Sequence, residues 1–158
     1  MFLSISFVGA QATASATATI LMPISITKTV DMNFGSLVVN NTPGTVVLTP
    51  TGSRTATGGV SFITATPGTV TAASFDITGI NNGTYSITLP ASLIIKLDGS
   101  NAMVVNNFIS TPTPTGTLSG AGTETLTVGA TLNVPASQQA GVYVSEISSP
   151  FTVTVNYN

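Results

Sequence analysis

Apolar and polar residues alternate one by one along much of this chain. Ala14, Ala16, Ala18 and Ile20 alternate with Ser15, Thr17 and Thr19, and the same phase resumes after Pro23 at Ile24 and Ile26. Ala73, Phe75 and Ile77 alternate with Ser74, Asp76 and Thr78, and Tyr85, Ile87 and Leu89 follow the turn signal Asn81-Asn82-Gly83. Leu126, Val128, Ala130, Leu132 and Val134 form the cleanest row, and Phe151, Val153, Val155 and Tyr157 end the chain between Thr152, Thr154 and Asn156. A period of two puts one kind of residue on each face of an extended strand. Apolar runs at 46–48 and 93–97 and a weaker run at 103–108 add further strands. Residues 111–116 read as a Pro/Thr loop, and Gly58-Gly59 reads as the end of a hairpin begun after Arg54.

No stretch sustains the three-and-four spacing of an amphipathic helix, and Gly and Pro punctuate the sequence throughout. About eight to ten short strands separated by turns predict an all-β, antiparallel Greek-key sandwich, with a closed barrel as the alternative. An outer-membrane barrel is disfavoured. Its strands need about ten residues each and aromatic girdles, and aromatic residues are 6% of this chain. No linker divides the sequence, so residues 13–158 are expected to form a single domain.

Composition narrows the function. Charged residues are 5% of the chain, against about 25% in ordinary soluble domains, and Thr, Ser and Asn supply the polarity instead. The cations are Lys28, Arg54 and Lys96, too few for a basic patch, so no nucleic-acid partner is expected. There is no Cys and no His, which excludes thiolate chemistry, disulfides and a Ser–His pair. Asp31, Asp76, Asp98, Glu124 and Glu146 are isolated acids. They read as solvated side chains and not as the facing pair a glycosidase requires. Asp98-Gly99-Ser100-Asn101 lacks the acidic spacing and closing Glu of a calcium loop and reads as a turn. No catalytic residue, metal or cofactor is expected.

Residues 2–10 form a short apolar run, and Ala10-Gln11-Ala12 fits small-x-small cleavage. Residues 1–12 therefore read as the remainder of a secretory signal, with the mature chain beginning near Thr13 and the true start upstream. The run is too short to span a bilayer and no later segment does better, so the protein is expected to be secreted and not membrane-spanning.

Cleavage there leaves residues 13–20 as an extended alternating peptide. Two readings stand. Ala14, Ala16, Ala18 and Ile20 pair within their own sandwich as its first strand, or they add to the open sheet edge of a neighbour. The small Ala side chains bury little area, which favours the first reading.

Ala16-Thr17-Ala18-Thr19-Ile20, the run Pro23-Ile24-Ser25-Ile26-Thr27-Lys28 and the turn Met32-Asn33-Phe34-Gly35 resemble a family of small secreted bacterial domains of unknown function. Gly44-Thr45-Val46-Val47-Leu48, Arg54-Thr55-Ala56-Thr57-Gly58-Gly59, Tyr85-Ser86-Ile87-Thr88-Leu89 and Val128-Gly129-Ala130-Thr131-Leu132-Asn133-Val134 extend the resemblance over nearly the whole chain. More distantly, Phe34-Gly35, Gly141-Val142-Tyr143 and the closing Val/Thr alternation resemble spore-coat-U-like and archaic chaperone–usher pilin subunits. Such pilins usually carry a disulfide, which this chain lacks, and residues 145–150 are longer than the usual link to the last strand. That likeness implies an immunoglobulin-like sandwich that polymerises by strand donation. Ala14, Ala16, Ala18 and Ile20 would then form the assembly strand, and Phe151, Val153, Val155 and Tyr157 the acceptor edge. The expected partners are further copies or related surface subunits, with a chaperone and usher. The other expectation is a monomeric secreted glycan- or surface-binding module, which needs an exposed aromatic platform.

Overall fold

A computed structural model describes residues 3–4, 8–99, 101–146 and 151–158. Parts of the expected signal segment, Ser100 and most of the 145–150 link lie outside the described residues. The fold is all-β and antiparallel, with no helix among the described residues. The strands are β1 (Ser25–Val30), β2 (Asn33–Phe34), β3 (Leu37–Leu48), β4 (Arg54–Phe62), β5 (Val70–Thr71), β6 (Ala73–Thr78) and β7 (Thr84–Thr88). They continue with β8 (Ser92–Lys96), β9 (Ala102–Thr111), β10 (Thr115–Thr117), β11 (Thr123–Val134), β12 (Val144–Ser145) and β13 (Thr154–Tyr157).

The large sheet runs β1-β6-β11-β9-β8-β12, with the β3–β4 hairpin joined to β11, and it curls into a half-barrel. A second sheet of order β10-β7-β13 lies against one part of it, and β2 and β5 form a separate ribbon. Strand β11 is central because its residues alternate so regularly. Its first half pairs with β6 from Thr123↔Thr78 to Val128↔Ala73, and its second half pairs with β3 from Ala130↔Leu48 to Val134↔Gly44. Gly129 sits at the change of partner. A side chain there would collide with the Leu48 carbonyl, so the end of β3 comes this close only because position 129 is glycine.

Two core clusters follow from this arrangement. One buries Ala73, Phe75, Ile77, Tyr85, Leu118, Leu126, Val128, Val153 and Val155 between the large sheet and the β10-β7-β13 sheet. The other buries Val46, Val60, Leu93, Met103, Val105, Ala130, Leu132 and Val134 inside the curl. Met32, Phe108 and Phe151 pack against both clusters and so link them. Phe151 stacks on Phe108 with centroids 5.2 Å apart and meets Phe75 edge-on at 5.9 Å.

Several expectations need correction. Residues 14–20 form no strand in this chain's own sheets and are exposed throughout. With three alanines and one isoleucine on its apolar face, the segment gains less from burial than the strands that form the sheets. Gly58-Gly59 does not end a hairpin. The turn is at residues 49–53, where Thr49 N donates to Ser53 O and Gly52 adopts φ +83°. Gly58 and Gly59 lie inside β4 at a bulge opposite Pro43-Gly44 of β3. Residues 111–116 are not wholly loop, since β9 extends to Thr111 and β10 begins at Thr115.

Candidate functional site

The closing alternation builds an edge. Strand β13 pairs with β7, from Thr154↔Thr88 to Tyr157↔Tyr85, and among the described residues no strand pairs with its other side, although β1 passes within 8 Å. Strand β1 pairs with β6 alone and likewise ends its sheet. Ile24 and Ile26 from β1 and its lead-in pack on the same core cluster as Val153 and Val155. The two edges thus border one apolar core, and no backbone pairing joins them.

Antiparallel ladders fix which backbone groups face outward. Asn158 N donates to Thr84 O just beyond β13, so bonded pairs fall on the even residues 154, 156 and 158. The N–H and C=O groups of Val155 and Tyr157 therefore point to the open side. On β6, Gly79 N donates to Gly122 O, which turns residues 75, 77 and 79 toward β11 and residues 76 and 78 toward β1. The backbone groups of Ile24 and Ile26 are thereby left facing away from the sheet. On both edges the residues with outward backbone groups are the ones whose side chains enter the core.

Tyr157 fixes the two edges at one end. Its hydroxyl accepts a hydrogen bond from Ile80 N at 2.7 Å and donates one to Met22 O at 3.1 Å. Gly79 and Gly83 make room for it, because a Cβ at Gly79 would strike the hydroxyl and one at Gly83 would lie 3.2 Å from the ring. Asn82 closes that turn with φ +58°. The partly buried Ile24, Ile26, Ile87, Leu89, Phe151 and Tyr157 line the region around the two edges.

The sequence-predicted residues fall into two groups. Val153 and Val155 are buried, Phe151 and Tyr157 half-buried, and all four pack on the core, although the strand proper starts at Thr154 and not at Phe151. Ala14, Ala16, Ala18 and Ile20 are exposed, Ile20 by 97%, and contact neither edge as a strand. Sequence reading did not single out β1 as an edge, since its neighbours depend on long-range pairing. The resumed phase at Ile24 and Ile26 was the available signal.

The remaining polar groups serve the fold. Arg54 donates to the carbonyls of Phe34 and Pro67 and lies 4.1 Å from the Phe62 ring centroid, so it clamps the Asn-Phe-Gly turn. Asp31 pairs with Lys28 at 2.6 Å and Glu146 with Lys96 at 2.9 Å, both near the surface. Asp98 accepts from the backbone N–H of Asn101 and closes a turn. No group of three or more potential metal ligands occurs among the described residues. None of the described aromatic rings is exposed. Tyr85 is fully buried and its hydroxyl has no hydrogen-bond partner; burial, with the nearby Glu124 charge, pushes its pKa above the usual tyrosine value. No helix of the described residues is long and apolar enough to cross a membrane.

A family model described as a domain of unknown function (DUF4402) matches residues 24–157. No curated protein and no solved structure matches the chain.

Proposed function

This chain belongs to the family of domains of unknown function DUF4402, and from that premise we propose that it is a non-enzymatic, secreted or cell-surface structural subunit that assembles by strand addition. In this reading the fold is an immunoglobulin-like sandwich lacking one edge strand. Residues 13–20 of one copy lie along β13 of the next. Ala14, Ala16, Ala18 and Ile20 face the core beside Val153 and Val155, while Ser15, Thr17 and Thr19 face solvent. The backbone groups of Val155 and Tyr157 supply the hydrogen bonds, and the alternating side chains set the register. Its partners are further copies or related subunits, with a chaperone and usher to cap the edge before assembly.

One observation carries the reading: an exposed, unpaired, alternating segment and an unpaired, core-bordering edge occur in the same molecule. Unpaired edges of this kind are normally blunted by charge or proline, and β13 contains neither. The glycan-binding alternative finds no exposed aromatic platform among the described residues.

A synthetic peptide of residues 13–20, added to a chain beginning at Leu21, tests the pairing. Hydrogen exchange at the Val155 and Tyr157 amides should slow at least tenfold. A peptide with its apolar and polar positions interchanged should leave them unchanged. Equal effects from the two peptides, or none from either, would exclude strand addition at β13.

A further inference from the structure

The same segment has a second seat, on its own molecule. We propose that residues 13–20 fold back on the outer edge of β1 as an antiparallel hairpin, which holds the monomer latent until the segment is exchanged into a neighbour. The inference concerns regulation of the assembly site, and its role in latency rests on the strand-addition reading above.

The argument is one of register. Only residues 20–24 separate Thr19 from Ser25, a loop length that hairpins accommodate. Pairing Thr19 with Ser25 sets Ala18 opposite Ile26 and Thr17 opposite Thr27. Bonded pairs use the outward backbone groups of Ile24 and Ile26, so Ala18 opposite Ile26 completes a bonded pair. Ala18 and Ile20 also fall on the same face as Ile26 and Ile24, toward the core, while Thr17, Thr19, Ser25 and Thr27 share the outer face. Ser25 shows this orientation already, since its hydroxyl bonds that of Thr78 at 2.8 Å on the exposed side. A register shifted by one residue would keep the backbone pairing but turn Thr17 and Thr19 toward the core and Ala18 toward solvent. Pro23 lies within the loop, where its missing N–H removes no ladder bond. The bond from Tyr157 to Met22 O holds the loop beside the chain's own β13.

Closure of so short a loop competes at an effective concentration on the order of millimolar. Where the hairpin forms, exchange between copies at lower concentration requires a crowded site or a partner that opens it.

The absence of native cysteine makes the test direct. Thr19 and Ser25 would form a non-bonded pair, with Cα atoms about 4.5 Å apart, a spacing that suits a disulfide. The full chain carrying Thr19→Cys and Ser25→Cys is oxidised at micromolar concentration with oxidised glutathione. The two thiols lose two protons and two electrons, and the glutathione disulfide is reduced to two thiols. The proposal expects an intramolecular disulfide in most molecules. It also expects formation at least tenfold faster than in the out-of-register Ser15→Cys/Ser25→Cys control. Where the unmodified chain polymerises, the locked form should not, and reductant should restore assembly. Disulfides only between chains, or equal rates for the two pairs, would overturn the hairpin. A fast intramolecular disulfide in a chain that never polymerises, even after reduction, would keep the hairpin and remove both its latency role and the strand-addition reading.

Discussion

Tyr85 and Tyr157 carry the same hydroxyl in opposite circumstances. Tyr157 has two partners, Ile80 N and Met22 O, so Tyr157→Phe leaves a donor and an acceptor unpaired near the core. The expected loss is about 1–3 kcal/mol in chemical denaturation. Tyr85 has no partner, so Tyr85→Phe removes a polar group that burial already penalises, and should raise stability by about 1 kcal/mol. Its pKa is raised, so the folded state keeps a proton that the unfolded state releases above about pH 10. Stability therefore falls as pH rises past that value, and Tyr85→Phe should make the fall shallower. Tyr143, raised by burial and by Asp98, retains its own part of the effect. Neither hydroxyl's status was legible in the sequence, where both tyrosines simply occupy apolar positions of alternating strands.

Among the elements, those with a clean period of two were the legible ones. Strands β6, β7 and β11 lie where Phe75, Tyr85 and Leu126 and their alternating neighbours predicted them. Strand β4 was missed because Gly58-Gly59 reads locally as a stop. In the fold these glycines lie opposite the bulge that residues 40–43 form in β3, where a Cβ would strike the carbonyls of Thr42 and Pro43. Residues 14–20 alternate as cleanly as β6 and yet form no strand in the structure, because alternation records a face that suits burial and does not fix a pairing partner. Strand β11 depends on Gly129 where its partner changes. Gly129→Ala should force the Leu48 carbonyl away and cost about 1–3 kcal/mol. A thermal melt of the variant against the parent measures it. An unchanged melting temperature would mean that β3 has room to withdraw.

For the whole molecule, the all-β class and the shared core of two sheets followed from composition and periodicity. The open edges did not, since which strands end a sheet is decided by pairings such as β1 with β6 and β13 with β7, far apart in sequence. Low charge has a consequence at this scale. With 5% charged residues, the proposed contacts between copies would rest on backbone hydrogen bonds and apolar burial, so assembly should vary little with salt. Light scattering at low and high ionic strength checks this, and a steep salt dependence would point to charged contacts instead. Ala18→Asp places a carboxylate where the donated strand meets the core. It should abolish assembly while leaving the melting temperature of the folded sheets within a few degrees, because Ala18 belongs to neither core cluster.

The central claim is that residues 13–20 of one copy complete the edge of another. Its most direct test is negative-stain microscopy, with a solution size distribution, of the intact chain and of the chain beginning at Leu21. The account predicts regular filaments from the first, once it is concentrated to about the millimolar range where exchange competes with the hairpin, and folded monomers from the second. Identical filaments from both would contradict it.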